Sequence, residues 1–118
     1  MVMNINTTLP QPEELTQLHA EICHALADTR RILIIYCLSE GVHTVNELSS
    51  NLNISQPATS RHLKVLRDRG LVRATRKGST MEYVLSDHRL VEALDLLRQV
   101  LRDQIEHRIS LLDQQLSE

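Results

Sequence analysis

Apolar residues recur along this chain with a helical period up to Gly70, then alternate to Leu85, then return to helical spacing for the rest. Leu15, Leu18, Ile22, Ala25 and Leu26 form the first stripe, entered through Glu13 and Glu14, which complement a helix dipole. This first helix is expected to end near Ala27. Asp28 then caps a second helix that runs from Thr29 through ILIIYCLS to a stop at Gly41. Its isoleucines leave a buried strand open as the alternative, and the cap and terminal glycine favour helix. Thr44-Val-Asn-Glu47 has the form of a capping box, with Val45, Leu48 and Leu52 facing inward on a third helix. A short polar turn, residues 51–55, leads to a fourth. That helix has Ser55 as N-cap, Pro57 in its first turn and Gly70 as its end, and it seats Thr59, Leu63 and Leu66 on a core. Leu71–Ala74 and Met81–Leu85 alternate as strands do, around a basic, glycine-containing tip at Arg76–Ser79.

Two short helices joined by a tight turn, followed by a hairpin, make a winged helix-turn-helix in a mainly α (α+β) chain. The helix-turn-helix is expected at about 44–69, the wing at about 71–85 and a last helix at about 87–116. Residues 1–12 read as a loose arm, with Pro10 and Pro12, and 13–118 as one domain, which suits a chain of 118 residues. The last stripe, Leu90, Leu94, Leu97, Leu101, Ile105, Ile109, Leu112 and Leu116, spans roughly 45 Å as a helix, more than so small a domain covers by itself. Fraying beyond Gln104 is one alternative, but the apolar spacing persists. The simplest partner is a second copy related by a two-fold axis, so long first and last helices are expected to dimerise the protein.

Charge sharpens the picture. The net charge is −2, yet Ser55–Thr80 holds seven basic residues against Asp68 alone, a balance of +6 that leaves −8 for the remainder. A basic segment on an acidic body is the footprint of a nucleic-acid surface, although a charge run is also what an ordinary solvated face looks like. Gln56, Ser60, Arg61 and Lys64 lie along the outward edge of the fourth helix, where they could enter a major groove. Gln56 and Arg61 suit purine edges, whereas Ser60, Lys64, Arg73, Arg76 and Lys77 suit phosphates. With Tyr36 and Tyr83 as the only aromatic residues, stacking on single strands is disfavoured and duplex DNA fits better.

The opening MVMNINTTLP has no basic region followed by an apolar stretch, and the longest apolar run, 32–38, is too short for a bilayer, which predicts a cytoplasmic protein without membrane attachment. Cys23 and Cys37 lack C-x-x-C spacing and are expected as reduced thiols. Three glycines, and neither a phosphate-cradling loop nor a hydrolase motif, argue against an enzyme. The remaining rival is a winged helix that docks on protein, for which the basic segment has no use.

ALADTRRILIIYCLSEG, followed by ELSSNLNISQPATSRHLKVLRDRGLVRATRKGSTMEYVLS, resembles the ArsR/SmtB family of bacterial winged-helix repressors over about residues 24–86. The resemblance implies a homodimer that occupies an inverted-repeat operator and leaves it on a signal. It places Ser55, Gln56, Ser60 and His62 where the family's recognition helix meets DNA, with Arg76 and Lys77 at the wing tip. His62 also lies beside the apolar stripe and could equally bond a backbone carbonyl.

The family's effector sites are not reproduced. Where its soft-metal sensors carry C-x-C, this chain has Val45–Ser50, and Asp87-His88-Arg89 breaks the D-x-H of its zinc, cobalt and nickel sensors. Asp87, His88, Asp103, Glu106 and His107 remain as a degenerate set that two antiparallel copies could bring together; no cofactor is expected. Thiol-responsive members place one cysteine near Cys37 and its partner on the last helix, where this chain has none. Cys23 and Cys37 are therefore a thiol-switch candidate whose plainer reading is two small apolar residues. Among effectors, a thiol, redox or other signal is expected ahead of a standard metal site.

Overall fold

The computed structural model describes residues 8–117, so the first seven residues of the expected arm lie outside the described residues. Helix α1 covers Pro12–Leu18 and passes into a π-helical segment, His19–Cys23; α2 covers Thr29–Ser39, β1 His43–Thr44, α3 Val45–Leu52, α4 Gln56–Asp68, β2 Val72–Lys77, β3 Thr80–Leu85 and α5 Arg89–Leu116. By its contacts the chain falls into two units, one up to Ser86 and one from Asp87. The second unit is essentially one helix and cannot hold a core of its own.

In the first unit the local signals decide most of the boundaries. Asp28 accepts from the Arg30 N–H at 2.8 Å and opens α2, and Thr44 and Glu47 exchange the two bonds of a capping box at 2.8 and 3.2 Å to open α3. Asn53 adopts a left-handed conformation (φ 55°), which an asparagine tolerates. The Ile54 N–H then donates to the Ser49 carbonyl at 3.0 Å, and the Ser49 hydroxyl donates to the Ile54 carbonyl at 2.5 Å, closing the elbow between α3 and α4. Ser55 caps α4 by accepting from the Ala58 N–H at 3.2 Å.

The core gathers Ala25, Ile34, Ile35 and Leu38 with Leu48, Leu63, Leu66, Val72 and Leu85. Thr59 is fully buried beside them; its hydroxyl donates to the Ser55 carbonyl at 2.9 Å, so no polar group is stranded. The strand alternative for residues 29–41 is not realised, because Ile34, Ile35 and Leu38 recur at helical spacing and share the buried face.

Three features depart from the sequence reading. The first helix turns π-helical at His19 rather than running regularly to Ala27. The His24 N–H reaches back five residues to the His19 carbonyl (3.0 Å), and irregular turns carry the chain to Asp28. The sheet has three strands, in the order β1-β3-β2, because His43 and Thr44 pair with Tyr83 and Glu82; a two-residue strand shows no alternation to read. Finally, the hairpin ladder extends to Lys77↔Thr80, so Arg76 and Lys77 are strand residues and the tip is Gly78-Ser79 alone. Gly78 has φ 64° at the first position of a two-residue turn, the conformation a type II′ hairpin asks of that site.

Helix α5 begins two residues after Asp87, whose carboxylate accepts from the Arg89 N–H at 2.9 Å. Over its 28 residues Leu94 is buried, while Leu97, Leu101, Ile105, Ile109, Leu112 and Leu116 are exposed. Leu9, Leu15 and Leu18, around α1, are exposed as well. Among the described residues no helix is long and apolar enough to cross a membrane.

Candidate nucleic-acid interface

Helix α4 is seated by Ala58, Thr59, Leu63 and Leu66, which leaves Gln56, Ser60, Arg61 and Lys64 on an exposed edge that begins at the helix N-terminus. That edge stands at the elbow with α3, and the elbow's hydrogen bonds fix the relation of the two helix starts. Ser55 is exposed too, with its hydroxyl engaged as the cap. Lys64 pairs with Asp68 at 3.1 Å, an exposed contact of the kind that contributes a few tenths of a kcal/mol and yields readily to a phosphate. Arg61, Arg73, Arg76 and Lys77 are exposed and form no salt bridge among the described residues. On β2, Arg73 and Lys77 share one face by strand alternation and Arg76 takes the other.

His62 stands apart from that edge. It is half-buried beside the start of α2, where burial pushes its imidazole below the ordinary value, the Asp28 carboxylate pulls it back up, and Arg31, Arg30 and Arg61 push it down again. The net depression keeps His62 neutral at physiological pH. Because the unfolded chain binds this proton more readily than the folded one, His62 subtracts stability as pH falls below the ordinary value of 6.5 and subtracts nothing well above it. His62→Gln is therefore expected to flatten the decline of the urea midpoint between about pH 7 and pH 5. Parallel curves for the two proteins would contradict this account.

Two residues of this region were given no role by the sequence reading. Arg31 ties the turn after the π segment to α2, its Nε donating to the Ala25 carbonyl at 2.6 Å and its Nη2 to the His24 carbonyl at 3.3 Å, with Asp28 at 3.9 Å. Asn46, in the first turn of α3, accepts a hydrogen bond from Gln56 Nε2. Ten residues of separation hide such a pair from any local pattern. Only the helix-turn-helix geometry brings the two side chains together.

The effector candidates are placed differently. Asp87 is held by the Arg89 guanidinium at 2.7–3.1 Å, and these bonds, with the Arg89 N–H, pull its carboxyl down to about 2. His88, Asp103, Glu106 and His107 are exposed along the same unit, and within one chain no three histidine, cysteine or acidic side chains converge among the described residues. Cys23 lies exposed in the π segment, whereas Cys37 is half-buried on α2, where burial first and Glu40 second push its thiol up, the reverse of what a reactive thiolate needs.

Residues 28–74 match the family profile described as "Bacterial regulatory protein, arsR family". Over 81 residues the chain is 40% identical to the HTH-type transcriptional repressor SmtB of Mycobacterium tuberculosis, an alignment that takes in 69% of this chain and 60% of that protein. The chain thus spans less than two thirds of that relative's length. It is 38% identical over 76 residues to the transcriptional activator HlyU of Vibrio cholerae, covering 64% of this chain and 70% of HlyU. Its fold is similar to the solution structure of the homodimeric winged helix-turn-helix DNA-binding domain of Mb0332 from Mycobacterium bovis. There the TM-score is 0.70 at 27% identity, over 80% of this chain and 87% of that one.

Proposed function

Because the chain belongs to the arsR family of bacterial regulatory proteins, we propose that it acts as a homodimeric, sequence-specific regulator that grips duplex DNA. The observation that carries the reading is the edge of α4, polar and cationic, exposed at the elbow of a helix-turn-helix and accompanied by unpaired cations on the wing. In this reading Gln56 and Arg61 meet base edges and Ser55, Ser60 and Lys64 border them. Arg73, Arg76 and Lys77 hold phosphates or the adjoining minor groove, and His62 supports the helix from behind. The exposed stripe of α5 and, separately, the exposed apolar residues of α1 are the surfaces we assign to contact with a second copy, and a two-fold dimer reads an inverted repeat.

Repression is the mode the family resemblance implies, since occupying a promoter is enough to block it. A similar protein named as an activator makes the sign a matter for a reporter assay. For the effector, the raised Cys37 thiol weighs against a thiol switch and the Asp87–Arg89 pair against a metal site that uses Asp87. A signal of another kind fits better than either.

The test is fluorescence anisotropy with a labelled duplex from the protein's own upstream region at two salt concentrations. Specific affinity is expected to drop steeply as salt rises, through counterion release. Lys77→Ala is expected to reduce the slope of log affinity against log salt by about 1.8, one phosphate contact being lost from each of the two protomers, while leaving sequence preference unchanged. Affinity indifferent to salt would argue for the protein-docking alternative.

A further inference from the structure

We propose that Asn46 is a positioning residue for base readout: its side-chain oxygen fixes the Gln56 amide so that Gln56 presents an acceptor and one remaining N–H to the major-groove edge of adenine. The proposal rests on the reading of α4 as the DNA-facing helix, and it deepens that reading by assigning a base.

A glutamine amide has two N–H donors and one oxygen acceptor, and left alone it can turn end for end. Here one N–H is spent on Asn46 Oδ1. The nitrogen end is thereby tied toward α3, which leaves Oε1 and the second N–H available to a partner. Adenine offers an N6 donor next to an N7 acceptor, which matches that pair. Guanine offers O6 and N7, both acceptors, so a tied amide sets oxygen against oxygen. An untied glutamine escapes the conflict by turning both N–H groups to guanine. The discrimination between purines therefore resides in the pair and not in Gln56 alone.

The surroundings suit Asn46 to this task. The capping box of α3 is completed by Thr44 and Glu47, so the Asn46 side chain has no part in it. Both amides are exposed, at the first turns of two helices whose relation the Ser49–Ile54 bonds hold. Asn46 is exposed and lies outside the core, so its replacement leaves the core intact.

The test begins by selecting duplexes from a random pool with the wild-type protein and measuring Kd on the selected duplex and on versions carrying each A·T to G·C exchange. The wild type is expected to favour adenine at one position of each half-site by about tenfold. Asn46→Ala is expected to shrink that ratio to about twofold, with the thermal midpoint and the salt slope unchanged. Asn46→Asp keeps the accepting oxygen and is expected to restore the ratio while weakening both duplexes alike through its charge. An Asn46→Ala ratio equal to the wild type's, an Asn46→Asp ratio as relaxed as the alanine's, or a guanine preference in the wild type overturns the proposal. A wild type that binds no duplex overturns the DNA reading itself and this proposal with it, a failure plainly distinct from the others.

Discussion

Replacing Leu101 and Ile109 together by lysine is expected to make the protein monomeric and to lower its affinity for a duplex carrying two half-sites by about 100-fold or more. Both side chains lie on the open stripe of α5, 54% and 53% exposed, so the change removes nothing from a core within the chain. If α5 forms the proposed dimer contact, what the change removes is that contact, where each apolar side chain buried from water contributes about 1.5–3 kcal/mol and each lysine ammonium adds a desolvation cost. Affinity follows because a dimer binds its second half-site as an intramolecular event, whereas a monomer meets each half-site separately. Sedimentation velocity and anisotropy on the same samples check the two effects together. A double variant that stays dimeric and keeps its affinity would remove α5 from the interface.

Leu63→Ala is expected to cost about 3 kcal/mol of stability, within the range for a leucine truncated in a packed core. For a domain of this size that corresponds to a fall of about 10–20 °C in the thermal midpoint, measured at fixed protein concentration. Leu63 is 1% exposed, and the neighbours that share its face, Thr59 and Leu66, are fully buried, so the lost volume has nowhere to collapse. Lys64→Ala, one position along, is the control. That side chain is 69% exposed and joined only to Asp68, and its removal is expected to move the midpoint by no more than a degree or two while weakening DNA binding. If the two variants melt alike, the assignment of buried and outward faces on α4 is wrong.

The contrast between neighbouring residues also shows what the sequence could reveal. The faces of α4 were legible because Thr59, Leu63 and Leu66 recur at one spacing between a serine cap and a glycine, and the structure buries all three. The capping box at Thr44 and Glu47 was legible for the same reason: its partners are three residues apart. Features set by distant partners were not. β1 is a strand only because β3 runs beside it, and the π segment at His19–Cys23 has no composition to mark it. The wing strands were read too short because Arg76, Lys77 and Thr80 are polar on both faces, leaving no alternation to follow to the tip. At the candidate interface, helical spacing is enough to set Gln56 and Arg61 away from the buried face, and both are exposed. His62 could not be placed from spacing, since its half-buried position depends on Asp28 and Arg31 across from it. The pairing of Gln56 with Asn46 is likewise a product of the folded elbow.

The open stripe of α5 has one more property. Along α5, Leu94, Ile105 and Leu116 stand eleven residues apart, Leu94 buried and the other two on the open stripe with Leu97, Leu101, Ile109 and Leu112, so the apolar line follows three turns and not two. A seven-residue seam drifts across a straight helix and makes partners wind left-handed, but an eleven-residue seam holds its line or drifts the other way. Two such helices laid antiparallel along it would run as nearly straight rods, with a slight right-handed wind in place of the familiar coiled-coil twist.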